Sequence, residues 1–494
     1  MKHWIIIAAA LLAASAGARA DNGVPPVVRA AVGTTVEARD HSLTLRLVDK
    51  KQNYSYARSM AQYRDSAVNS PKSVNIHPDG TKFYVNSLEG CATVVYDMAT
   101  RKQLKVIAHR FGPADAHLWA PSSGLFHFTH YTSRDVRRFS GKPVESTFTH
   151  GGRYLWVPYY RRDFDLNAQD PSAVAVIDTR SDAIVRLFDT GPLPKMIACS
   201  HDGRTVAVTH WGNNTVGLLD IAGQDPASWK YVACVPAPTE LKLDFSLTQP
   251  VNRDSHSGLL LRGTVFLPGD KHLLVSSMNG GGIGVIDVPR RRYLGRITGS
   301  ATPRHLVIAG DYLYLSSNTQ GLVQRIALSA IGQAIERLQR DGGTASLGGW
   351  EQCRVGGGAR TLEVSPSGRY AFVACNTASS LCVVDTRSMT MIAQIDVDSY
   401  PVGLALSDDG RTVIVTSQGR KGNGGNAVNI YSVDYRQPEP VRQRATPAAA
   451  PPDSVVPAAT PAAPSFGLPW IAVTGVAAVL LLAAVVALRH RRKP

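Results

Sequence analysis

Of 494 residues only six are cysteine, at 91, 199, 234, 353, 375 and 382, and no two stand in a CxxC or CxxCH arrangement. The usual c-type haem attachment is thereby excluded. There is no G-x-S-x-G elbow, no HExxH or HxxEH helix, and no glycine loop ending in GKS or GKT. The motif-borne routes to acyl transfer, zinc hydrolysis and nucleotide hydrolysis are therefore missing. No carboxylate pair has a local spacing that suits acid–base work, so no catalytic residue is assigned. Acidic residues are in deficit: 38 against 53 Lys and Arg, for a net charge of +15. Six cations sit in the two ends, which leaves +9 on the rest of the chain. That balance favours anionic ligands or surfaces.

What the chain does have is repetition. Residues 360–397 read as four short apolar runs cut by Pro366-Ser367-Gly368, by the polar turn at 376–380 and by Asp385-Thr386. Such spacing predicts antiparallel strands rather than helix. First-to-second-strand turns recur at Pro78-Asp79-Gly80, Gly151-Gly152, His201-Asp202-Gly203, Pro268-Gly269-Asp270, Gly310-Asp311 and Asp408-Asp409-Gly410. Third runs end in Asp97, Asp178, Asp220, Asp287, Asp385 and Asp434, which read as turn initiators; the fifth copy lacks one. Seven four-strand units predict an all-β fold, a seven-bladed β-propeller.

The phrases SVNIHPDGTKFYVNS, SAVAVIDTRSDAIV and PVGLALSDDGRTVIVTS resemble the YVTN-repeat, YncE-like β-propeller family, over roughly residues 71–435. The resemblance implies the fold. It leaves function open, since related propellers serve as binding platforms, lactonases and dehydrogenase subunits.

The ends divide the chain further. Residues 1–20 read as a signal peptide with an Ala18-Arg19-Ala20 cleavage site. The expected propeller spans 21–435, with an alternating strand near 42–48 closing the last blade, because a closed ring leaves no open edge. Residues 436–465 are a Pro/Ala-rich linker. Residues 466–488 are expected to form a transmembrane helix; the stretch from Leu468 carries no charge. The basic tail, 489–494, would stay in the cytoplasm. The expected product is a periplasmic or extracellular head on the cell membrane, held by a single C-terminal span.

Aligning the seven strand-one entrances gives Lys72, Val144, Lys195, Arg262, Arg304, Arg360 and Val402. Five are cationic, and five follow a proline that pins an extended entry. A ring would bring Lys72, Lys195, Arg262, Arg304 and Arg360 to one funnel and focus their field on anions, with arginine forks suited to carboxylate or phosphate. His210, Trp211 and the basic glycine loop at Arg420 are placed on the same face. So are Tyr159, Tyr160, Arg161 and Arg162, aromatics beside cations that could make a stacking wall. Asp163, Asp165, Asn167 and Asp170 have a DxDxN spacing like that of a Ca2+ loop, without its glycine or its final Glu. No other cofactor is expected. Two insertions, 111–142 with His117, His127 and His130, and 236–257 with Arg253 and Asp254, border this face. Cys375 and Cys382, which flank one turn, are the favoured disulfide pair, with burial as free thiols the alternative.

Two readings follow. In one, the head is a binding or scaffold module for an anionic small molecule, glycan or envelope protein. In the other, a lactonase-like hydrolase or oxidoreductase subunit uses the same funnel. Metal-dependent lactonases line it with carboxylates; here the entrances are basic, which favours binding. Single-stranded nucleic acid on Tyr159, Tyr160 and Trp211 is disfavoured by export.

Overall fold

Short runs of β-branched and aromatic residues, each ended by a Gly, Asp or Asn turn, can bury both faces only if the sheets stack against one another. The computed structural model describes residues 27–53, 58–419 and 424–442 and has this arrangement. Seven sheets, antiparallel except for one edge strand, succeed one another along the chain. Their innermost strands are Pro71–Ile76, Thr147–Thr149, Pro194–Cys199, Leu261–Phe266, His305–Ala309, Ala359–Val364 and Pro401–Leu406, here blades one to seven. The innermost strand of blade seven packs against that of blade one, which closes a ring about a central channel. Second and third strands are buried almost throughout; those of blade six, Tyr370–Cys375 and Ser380–Asp385, expose no residue.

The outer strand of blade seven comes from the other end of the chain. Leu43–Gln52 pairs antiparallel with Ala427–Tyr435 and carries Thr35–Glu37 beyond it. A buried ion pair fixes this junction: Lys50 Nζ lies 2.7 Å from Asp398 Oδ2, and both side chains are inaccessible.

Blade two is entered where the alignment expects: Pro143 pairs with Tyr159 and, past a one-residue bulge, Thr147 pairs with Trp156, just as Pro71 pairs with Ser87 and Val74 with Val85 in blade one. An extra strand, Phe139–Pro143, precedes its inner strand Thr147–Thr149. Two expectations need correction. The stretch 342–358, whose glycines at 342, 343 and 356–358 read in the sequence as a loop, holds two strands: after the helix Leu328–Asp341, Thr344–Ser346 joins blade four in parallel and Glu351–Arg354 completes blade five. That helix buries Ile331, Ala334, Ile335 and Leu338, one face at helical spacing. The six cysteines are free thiols. Cys375 faces Ser380 and Cys382 faces Val373, so the favoured pair is diagonal across its hairpin, with sulfurs 3.7 Å apart.

The signal peptide, the span 466–488, the basic tail, most of the linker and Arg420 lie outside the described residues. Among the described residues no helix is long and apolar enough to cross a membrane.

Candidate functional site

Three of the cationic entrances are held by the neighbouring blade. Ser276 Oγ of blade four donates to the carbonyl of Arg304 in blade five at 3.0 Å. Ser316 Oγ of blade five donates to the carbonyl of Arg360 in blade six. Thr416 Oγ1 of blade seven donates to the carbonyl of Lys72 in blade one at 2.7 Å. Two glycines permit the close approach. A Cβ at Gly403 would sit 2.4 Å from the Lys72 carbonyl oxygen, and one at Gly263 2.8 Å from that of Arg304. The backbone beneath the cations is thus fixed at both ends of each contact.

The side chains converge. Lys195, Arg262, Arg304 and Arg360 are all buried, and Lys72 is partly accessible. Each feels the others. Burial first, then the charges of Arg360, Arg262 and Lys195, hold the Lys72 ammonium well below its ordinary range, while Glu145 pulls the other way. Lys195 is lowered by burial, then Arg262, with Asp254 opposing, then Arg360 and Arg304. Arg304 is lowered by burial, Arg360 and Arg262. Arginines keep their proton through the physiological range, so the lysines are the groups that yield.

One carboxylate stands among them. Glu145 accepts from Arg262 Nη2 at 3.0 Å. It lies one residue past the aligned entrance of blade two, a position that comparing the entrances alone does not reach. Val144 is instead buried, its carbonyl accepting from Ser73 Oγ and Asn86. On one side the wall is aromatic: Lys195 Nζ lies 4.1 Å from the ring centre of Tyr160 and 4.9 Å from that of Trp211. Arg304 Nη1 approaches Met278 Sδ at 3.3 Å. Arg360 donates through Nε to the Val402 carbonyl at 3.3 Å and lies near Tyr400. Among the described residues neither lysine ammonium donates a hydrogen bond to protein.

Other expected site residues serve the framework. Tyr159 and Tyr160 are neighbours on one strand and point to opposite faces. Tyr160 reaches Lys195, whereas Tyr159 is fully buried and bonds His109 Nδ1 at 2.9 Å. Arg162 is 1 % exposed, bonds Asp189 and the Ser172 carbonyl, and lies over Phe139. Arg161 donates to the carbonyls of Asp165 and Leu166 within its own loop. His210 is wholly buried between Thr190, Thr215 and the Gly191 amide, and burial lowers its pKa to about 3.

The DxDxN side chains bond the protein's own loops. Asp165 accepts from the amides of Gln169 and Asp170, Asn167 braces the second insertion at Ser246, Gln249 and Val251, and Asp170 receives the amides of His130 and Tyr131. These acceptors serve loop closure, while Asp165 Oδ1 is buried without a hydrogen-bond partner among the described residues. Among the described residues no group of three or more His, Cys, Asp or Glu is placed to hold a metal ion, the insertion histidines included. Arg253 knits the second insertion down through the carbonyls of Asn167, Ala168 and Gly212, which brings Asp254 to the rim of the mouth.

Strand order, blade count and channel can now be set beside known structures. The chain is a seven-bladed β-propeller. It is similar to hydrazine synthase of Kuenenia stuttgartiensis, at 15% identity over 76% of this chain and 98% of that one, with a TM-score of 0.50. It is also similar to the β-propeller domain of Cps50 (Swd1) from Myceliophteria thermophila, at 12% identity over 78% of this chain and all of that one, with a TM-score of 0.51. At these identities the likeness is one of fold. No family model matches the sequence and no curated protein does, so the YVTN-repeat resemblance rests on its phrases alone.

Proposed function

We propose that the protein is a binding module that takes up a small molecule bearing several negative charges at this mouth. We further propose that it works outside the cytoplasm, tethered by residues 466–488. The observation that carries the reading is the imbalance of charge: five inward cations against one carboxylate, Glu145, with Asp254 at the rim. Desolvated like charges are unfavourable unless a counter-charge joins them. A ligand with two or more carboxylates or phosphates supplies it, and the arginines offer planar forks to receive it. A protein surface or long glycan fits less well, because these cations are buried rather than spread over the face. Tyr160 and Trp211 would flank the ligand on the Lys195 side.

A thermal-shift series with citrate, inorganic phosphate, lactose and calcium chloride at low salt tests this. Mass action gives about 2.7 kcal/mol of added stability at a hundred times Kd. Citrate or phosphate should raise the melting temperature and the neutral sugar should not. No shift with either anion would refute the reading.

A further inference from the structure

We propose that Lys72 is a nucleophilic amine that forms an imine with a 2-oxo carboxylate held at the cationic mouth. The inference rests on the anion-binding reading above and names a substrate class for it. Lys72 differs from the other four cations in three ways. It keeps accessible surface, where Lys195, Arg262, Arg304 and Arg360 are buried. Among the described residues its ammonium has no hydrogen-bond acceptor, paired carboxylate or aromatic ring, whereas Lys195 rests on Tyr160 and Trp211 and Arg262 is paired with Glu145. Its backbone is pinned through Thr416, which fixes the point on the ring from which its side chain departs.

The charged groups that face it are Arg360, Arg262, Lys195 and Glu145, three cations against one anion. A lysine amine surrounded by cations and partly desolvated loses its proton more readily, which is how such amines become nucleophiles near neutral pH. The arginines that depress it are also the groups that would hold a carboxylate. A 2-oxo acid places its carbonyl carbon next to that carboxylate, so one ligand meets both features.

The step balances without a further reactant. The free amine's lone pair attacks the carbonyl carbon, and the carbonyl electron pair moves to oxygen, which takes a proton. The nitrogen of the resulting carbinolamine then re-forms a double bond to carbon as the protonated hydroxyl leaves. Amine and ketone give imine and one water, with protons exchanged with solvent.

The test uses the full-length chain with pyruvate and sodium cyanoborohydride at neutral pH, followed by peptide mapping for carboxyethyl-lysine. Acetone is the uncharged control, and the exposed Lys102 is the internal reference. Lys72 should be labelled more than about tenfold faster than Lys102, faster by pyruvate than by acetone, and more slowly when citrate is present. Lys72→Arg should abolish the adduct, and Lys102→Arg should leave both the adduct and the citrate-induced thermal shift in place. Labelling that follows exposure, with citrate still stabilising the protein, overturns the nucleophile and leaves the anion mouth standing. Absence of any citrate shift, with pyruvate no better than acetone at Lys72, overturns both.

Discussion

Thr416 Oγ1 donates a 2.7 Å hydrogen bond to the carbonyl of Lys72, joining positions 344 residues apart. The contact ties the last blade to the first at the point where the cationic ring closes. Thr416→Val keeps the shape and removes the donor, leaving a buried carbonyl unsatisfied. The expected loss is about 1–3 kcal/mol, read by urea denaturation, together with weaker citrate binding because Lys72 is no longer held. Unchanged stability would mean that the carbonyl finds another donor.

The Lys50–Asp398 pair makes a second prediction at the same seam. Both groups are buried, and Asn429 and the Ala30 carbonyl complete their bonding. Asp398→Asn strands the Lys50 charge and should cost about 3–5 kcal/mol. Lys50→Met combined with Asp398→Leu should recover much of that, because the uncompensated charge is gone. A double-mutant cycle measures the difference.

Acid should weaken the head through its buried histidines. His109 and His210 are held neutral by burial, each lowered to about 3. Unfolded histidine titrates near ~6.5. Below that pH the unfolded chain binds protons that the folded state refuses. The stabilising contribution is therefore complete above about 6.5 and declines as pH falls toward about 3, by roughly 1.4 kcal/mol per pH unit for each residue. His210→Gln should flatten the pH dependence of stability between pH 6 and 4, measured by urea melts. An unaltered slope would place the proton uptake elsewhere.

Trp211 should matter to the ligand through Lys195. Trp211→Ala removes one of the two rings on which that ammonium rests, an interaction worth about 0.5–2 kcal/mol. Citrate affinity should fall severalfold, with a steeper salt dependence as water enters the wall. Titration at two ionic strengths checks it.

The seven-blade plan was readable because each blade repeats the same short-range signals: an apolar run, a Gly or Asp turn, an apolar run, an Asp. The five ring cations were readable for the same reason, since radial symmetry turns equal sequence positions into equal spatial ones. What failed depended on irregularity. Glu145 stands one residue beyond the repeated entrance position, where no other blade has an acid, so repetition did not mark it. Tyr159, Arg162 and His210 looked like site residues by type. Strand alternation and blade packing, which composition does not report, turned them inward. The DxDxN loop had the right spacing for a cation, but its acceptors went to backbone amides and to the second insertion.

The central claim is that the ring cations are arranged for a ligand and not for the fold. Replacing three of them with near-isosteric neutral residues, Lys195→Met, Arg304→Gln and Arg360→Gln together, tests it in one melting experiment with and without citrate. The account predicts that the ligand-free variant melts at the same temperature as the parent or higher, because like-charge repulsion is relieved, and that the citrate-induced rise disappears. A variant that melts lower and keeps its citrate-induced rise would contradict it.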